Sequence, residues 1–145
     1  MRLRNEFVDH IPDQLEDGVL YVSMRFGTVV HRCACGCGEE VVTPLGPVEW
    51  RLTYDGKTVS LEPSIGNWSF PCRSHYWIDE GIVRWSRSFS EAEVALVRQR
   101  AWTRRSSYYQ MGATEVPGRG TRIGSWRSLW EKIRALGRAW KRRGE

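Results

Sequence analysis

Long apolar runs are missing from this 145-residue chain. Its uninterrupted apolar stretches reach only a few residues, far below the ~20 that a membrane-spanning helix needs, so no transmembrane helix is expected. An apolar signal core is also missing: Met1-Arg2-Leu3-Arg4-Asn5-Glu6 turns acidic before any hydrophobic stretch. That pattern predicts no secretory leader and a cytoplasmic location. No repeat of solenoid period is visible. Glycine and proline, at 14 and 6 residues, are too few for a collagen-like chain. With 41% hydrophobic and 27% charged residues, the chain is neither a coiled coil nor wholly disordered. Its length suits one domain, or one domain with a tail.

Two features depart from the ordinary: eight Trp residues and an uneven charge. From Arg122 to Glu145 eight basic residues face two acidic ones, a net +6, which leaves residues 1 to 121 at −1 within a whole-chain charge of +5. The basic character therefore belongs to a tail.

Strand signals dominate the first part. Gly18 to Val30 is β-branched and aromatic around Gly27, which reads as a hairpin. Trp50, Leu52 and Tyr54 alternate with polar residues, Asp55-Gly56 offers two positive-φ residues for a tight turn, and Thr58 to Leu61 returns. His75 to Ile78 and Ile82 to Trp85 form a third pair around Asp79-Glu80-Gly81. Ser90 and Glu93 make a capping box for a helix running to about Trp102, with Ala92, Ala95, Leu96 and Trp102 as its apolar face. Glycine and proline between Arg104 and Ser125 read as a linker. Trp126, Leu129, Trp130, Ile133, Leu136 and Trp140 then recur at helical spacing among Arg and Lys. The expected architecture is α+β: a small, mainly antiparallel β domain (residues 1–103) with a metal-binding Cys/His knuckle and one packed helix. A linker (104–125) and a C-terminal basic amphipathic helix (126–143) follow. Trp50, Trp68, Tyr76, Trp77 and Trp85 are expected in a core that metal supplements.

Four cysteines carry the chemistry, three of them at alternate positions in His31-Arg32-Cys33-Ala34-Cys35-Gly36-Cys37-Gly38-Glu39-Glu40. Such close neighbours pair awkwardly as disulfides, and clustered thiols in a reducing compartment point to metal. Glycine after cysteine permits positive φ and aims backbone amides at sulfur. Cys72 and His75, separated by two residues, supply a second half. The candidate ligands are Cys33, Cys35, Cys37, Cys72 and His75, with His31 a sixth. Zinc suits soft thiolates with an imidazole better than an iron–sulfur cluster does.

More than four candidates leave a closed structural site and an open catalytic one both available. In the open case Glu39, beside Glu40, is the nearest candidate base, and Ser74 a candidate for steadying an oxyanion. Ser64, in Pro63-Ser64-Ile65-Gly66-Asn67, is an alternative polar group for an oxyanion, but reads first as a turn-closing hydroxyl. The basic Trp helix is a weaker candidate for binding nucleic acid or an anionic membrane face.

In this order, His31-x-Cys33-x-Cys35-Gly36-Cys37-Gly38, Trp50, Leu61-x-Pro63-Ser64-Ile65, Cys72-Arg73-Ser74-His75-Tyr76-Trp77-Ile78 and Trp85 resemble a small bacterial family of domains of unknown function. Its members are encoded beside ubiquitin-like proteins and E1-like and E2-like enzymes. The resemblance covers about residues 5 to 102 and excludes the basic tail. It places the family motif on Cys33, Cys35, Cys37, Cys72, Ser74 and His75, and implies a metal-bound peptidase that trims or releases a ubiquitin-like partner. The expected function is therefore a zinc-dependent peptidase or deconjugating hydrolase, and the alternative a non-catalytic zinc-stapled adaptor for a protein partner or nucleic acid.

Overall fold

A computed structural model describes residues 1–114. The C-terminal helix expected at 126–143 lies outside the described residues. Eight strands form two four-stranded sheets. The first contains β1 (Arg4–Phe7), β2 (Val19–Ser23), β3 (Thr28–Arg32) and β4 (Glu40–Pro44) in that order. The second contains β5 (Arg51–Tyr54), β6 (Val59–Gly66), β7 (His75–Asp79) and β8 (Ile82–Trp85). All pairings are antiparallel except β1 with β2. The α+β expectation holds.

Alternation sets what each sheet buries. Leu20, Val22, Val29 and Val41 from the first sheet meet Val59, Leu61, Ile65, Tyr76, Ile78 and Val83 from the second in one apolar core, which also takes in Cys33. Strand β2 is buried along its whole length because Val8, Ile11 and Leu15 cover the opposite side of Val19, Tyr21 and Val30. On β7, Tyr76 and Ile78 point into this core, which leaves His75 and Trp77 on the outer face of the second sheet. Of the aromatic residues expected inside, Tyr76 is fully buried, whereas Trp77 and Trp85 are 40% and 53% exposed. Trp77 lies on an outward position of β7, and Trp85, paired with Tyr76 on the core side and packed edge-on against its ring at 5.4 Å, ends β8 where the core gives way to solvent.

The three expected hairpins form, with one exchange of turn chemistry. At Asp55-Gly56 only Gly56 has positive φ, at 96°, and the Asp55 carboxylate closes the turn by accepting from the backbone N–H groups of Lys57 (2.7 Å) and Thr58 (2.6 Å). The turn with two positive-φ residues is instead Glu80 (50°) and Gly81 (72°), between Asp79 and Ile82.

Helix α1 (Glu91–Thr114) opens on the expected capping box: Ser90 N–H donates to the Glu93 carboxylate at 2.8 Å, and Glu93 N–H to Ser90 Oγ at 3.4 Å. It continues well into the stretch read as linker, since the Arg, Ser and Gln residues there are compatible with a helix and the first glycine is Gly112. Its expected apolar face is not buried: Leu96 is 45% and Trp102 71% exposed. Val94 is the buried anchor, and Arg104 and Arg105 clamp the helix to the Val48 carbonyl and the Glu49 carboxylate. One compact unit spans Met1–Tyr109 and contains every site discussed below.

Candidate functional site

Two sets of side chains lie close together in sequence and act on different faces of the fold. The first is the cysteine cluster. Gly36 and Gly38 take positive φ, at 83° and 81°, so the chain after β3 curls tightly enough to turn three thiols one way. Cys33 N–H donates to the Glu39 carbonyl at 2.8 Å and Gly36 N–H to the Cys33 carbonyl at 3.0 Å, which closes the knuckle. Cys72 arrives from the second sheet. Cys33 Sγ lies 3.4 Å from Cys35 Sγ and 3.9 Å from Cys72 Sγ, and Cys37 Sγ lies 3.6 Å from Cys72 Sγ. All four sulfurs fall within 4.8 Å of one another. A tetrahedral ion with metal–sulfur bonds of about 2.3 Å would hold them about 3.8 Å apart, so the four residues fit a metal ion.

Hydrogen bonds support this cluster from behind. Asn67 Nδ2 donates to Ser74 Oγ at 2.9 Å and to Cys33 Sγ at 3.6 Å, and Ser74 Oγ lies 3.1 Å from Cys33 Sγ. Burial pushes the Cys72 thiol up, but donation from the Ser74 backbone and hydroxyl outweighs it and brings Cys72 down to about 7. Cys35 moves the other way, to about 12, through burial and its neighbouring thiols. A lowered thiol eases metal binding, which displaces thiol protons to solvent. Behind it, His31 Nε2 meets Tyr76 Oη at 2.9 Å inside the core, where burial lowers the imidazole to about 4.

His75 is not with the sulfurs. Of the five expected ligands the structure gathers four, because His75 follows Ser74 in sequence and its side chain emerges on the outer face of β7. There its Nε2 lies 2.9 Å from Ser64 Oγ, and its Nδ1 lies 3.2 Å from the Arg87 carbonyl oxygen. A carbonyl only accepts, so Nδ1 carries the proton and Nε2 accepts from the Ser64 hydroxyl.

Sheet register builds this pair. Gly66 stands opposite His75, and Ser64 is two residues along the same outer face of β6, the diagonal position that a ring can reach. Between Leu61 and Ile65 the ladder bulges, so that Glu62, Pro63 and Ser64 together face Trp77. Proline has no N–H for the ladder, and a bulge re-aims the side chains it carries. Gly66 leaves space that another residue would fill: a Cβ there would stand 2.3 Å from the Trp68 indole. Trp68, Phe89 and Trp77 surround the imidazole with ring centroids at 4.8, 4.6 and 5.6 Å.

Beside Ser64 a cleft of about 470 Å³ opens between the second sheet and α1, lined by Trp50, Pro63, Gly66 and Trp68 on one side and by Val97, Ala101 and arginines on the other. A hydroxyl at hydrogen-bond distance from an imidazole, with the imidazole oriented by a further acceptor and a cleft alongside, is the constellation of nucleophilic acyl transfer.

The family model described as "Bacterial ubiquitination-like system serine protease (BubE)" matches residues 7–86, more than half of the chain. The chain belongs to this family. No curated protein and no solved structure matches it. The BubE match takes in the cysteine cluster, Ser64 and His75, and stops before α1.

The other expected site residues fall elsewhere. Ser74 is buried and committed to Cys33 and Asn67. The Glu39 side chain is exposed, and its carbonyl serves the knuckle. Ser64, read from sequence as closing a turn, lies in β6. Its one sequence signal was the Pro63-Ser64-Ile65 element, which names no partner, because the histidine that meets it is brought by sheet pairing.

Proposed function

We propose that this chain is a serine protease of a bacterial ubiquitin-like pathway, with Ser64 as nucleophile, His75 as general base and the Arg87 carbonyl as the group that fixes the imidazole. The observation that carries this reading is the 2.9 Å contact between Ser64 Oγ and His75 Nε2, completed by the carbonyl on Nδ1. Ser64 Oγ attacks the scissile carbonyl carbon as its proton passes to His75 Nε2. The resulting imidazolium gives that proton to the leaving amine as the C–N bond breaks, leaving an ester on Ser64. Water then attacks the ester, with His75 again taking the proton, and releases the acid and the free hydroxyl.

The four-cysteine centre is assigned to zinc, as soft thiolates in tetrahedral array favour it. Four sulfur ligands leave no position for water, so the ion would serve as a staple rather than a source of hydroxide. It ties the chain after β3 to the chain entering β7, directly upstream of His75. This reading replaces the zinc-bound hydroxide, Glu39 base and Ser74 oxyanion donor expected from sequence. The substrate is a ubiquitin-like protein, as an extended precursor or a conjugate, and the E1-like and E2-like enzymes are its pathway neighbours.

Labelling with a fluorophosphonate tests the nucleophile directly. Intact-mass and peptide analysis should place the adduct on Ser64. Cleavage of a C-terminally extended ubiquitin-like protein of the same system should vanish in Ser64→Ala and fall about 10²- to 10⁴-fold in His75→Ala. An adduct on another residue, or full cleavage by Ser64→Ala, would sink the assignment.

A further inference from the structure

The cleft beside Ser64 has an open strand edge and a net positive charge. Strand β5 pairs with β6 only from Val59 to Glu62, so Pro63 to Gly66 have no β5 residue beside them, and the cleft lies along this part of β6. A strand edge next to a nucleophile suits a peptide in extended conformation. The facing side comes from α1, where positions 97, 100, 101 and 104 share one helical face.

Arg98, Arg100, Arg104 and Arg105 all line the cleft, against one carboxylate, Glu49. Glu49 is already paired with Arg105. Arg98 and Arg104 are held by neutral acceptors, Ser69 Oγ at 3.2 Å and the Val48 carbonyl at 2.9 Å. Arg100 is exposed on the same wall. The cleft therefore keeps a net positive charge over apolar flooring from Trp50 and Trp68.

We infer that this cleft selects substrate by charge: it takes an extended segment of the ubiquitin-like protein bearing acidic side chains next to the scissile bond, with Arg100 and Arg104 as specificity-determining residues. This inference rests on Ser64 being the nucleophile for its position in the substrate path, but charge selection can be measured without catalysis. Arginine suits the role because its planar fork pairs with a carboxylate through two hydrogen bonds and remains charged at any working pH.

The test uses the full chain carrying Ser64→Ala, which keeps the cleft and cannot cleave. Fluorescent peptides spanning the C-terminal segment of the ubiquitin-like protein, in matched versions with Glu, Gln or Lys flanking the scissile position, are titrated by anisotropy. The Glu version should bind about tenfold more tightly than the Gln version at low salt, with Lys weakest, and the spread should shrink as salt screens the cleft. Adding Arg100→Glu, an exposed change that leaves the core intact, should narrow the gap between the Glu and Lys versions several-fold, since three arginines then face two carboxylates. Equal affinities, preference for Lys, a spread unchanged by Arg100→Glu, or no binding by any version would each overturn the inference. A wild-type protein that resists fluorophosphonate yet still prefers the Glu peptide would instead remove Ser64 as nucleophile and leave the charge selection standing.

Discussion

Removing the metal should separate a staple from a catalyst. Cys33 and Cys72 are 39 residues apart in sequence and are brought within 3.9 Å, so an ion bridging them closes a long loop of the unfolded chain. Treated as a cross-link over that loop, the constraint contributes about 4 kcal/mol by the chain-entropy relation. A domain of this size shifts by about 4 to 8 °C per kcal/mol, so a strong chelator should lower the melting temperature by roughly 15 to 30 °C. Calorimetry or circular dichroism before and after chelation measures this, with metal content read on the same samples. The second half of the assay is fluorophosphonate labelling at a temperature below the lowered transition. A structural ion leaves Ser64 and His75 assembled there, so labelling should persist in the folded fraction. An unchanged melting curve in demonstrably metal-free protein would refute the staple. Normal melting with complete loss of labelling would refute the closed site and return the metal to the reaction.

Gly66→Ala should push the Trp68 indole off its seat, since the added Cβ would lie 2.3 Å from it. Overpacking of this kind costs about 1 to 3 kcal/mol, and a displaced His75 should lower kcat about 10²-fold with KM much less affected, as steady-state kinetics would show. Asn67→Ala removes the donor to Ser74 and Cys33. It should cost about 1 to 3 kcal/mol and weaken metal binding about 10- to 100-fold in chelator competition. Acid should loosen α1 at its start. Glu93, held by Arg87 and the Ser90 backbone, is lowered from 4.5 to about 2, so its contribution is complete above about pH 4.5 and is lost as pH falls through about 2. Far-ultraviolet circular dichroism should follow that loss, and Glu93→Gln should flatten this part of the pH profile.

The sequence by itself determined the three hairpins, the capping box at Ser90 and Glu93, and the gathering of Cys33, Cys35 and Cys37 into a knuckle. These depend on neighbours within a few residues, where turn chemistry, alternation and glycine φ preferences act directly. It also marked Cys72 as the partner of that knuckle, and the structure brings its thiol to the other three. The tertiary structure alone decided the fate of His75. Cysteine and histidine at that spacing satisfy a metal motif on paper, yet successive residues of a strand face opposite ways, and β7 sends the His75 ring away from the sulfurs. Its partner Ser64 lies eleven residues earlier, on β6. Only the bulged register between β6 and β7, the small size of Gly66 and the aromatic wall of Trp68 and Phe89 bring hydroxyl and imidazole together. The helix was misread for the same reason. Local periodicity located α1, but its burial depends on how the helix meets the second sheet, and between them lies a cleft with Trp50 and Trp68 on the sheet side and arginines of α1 on the other.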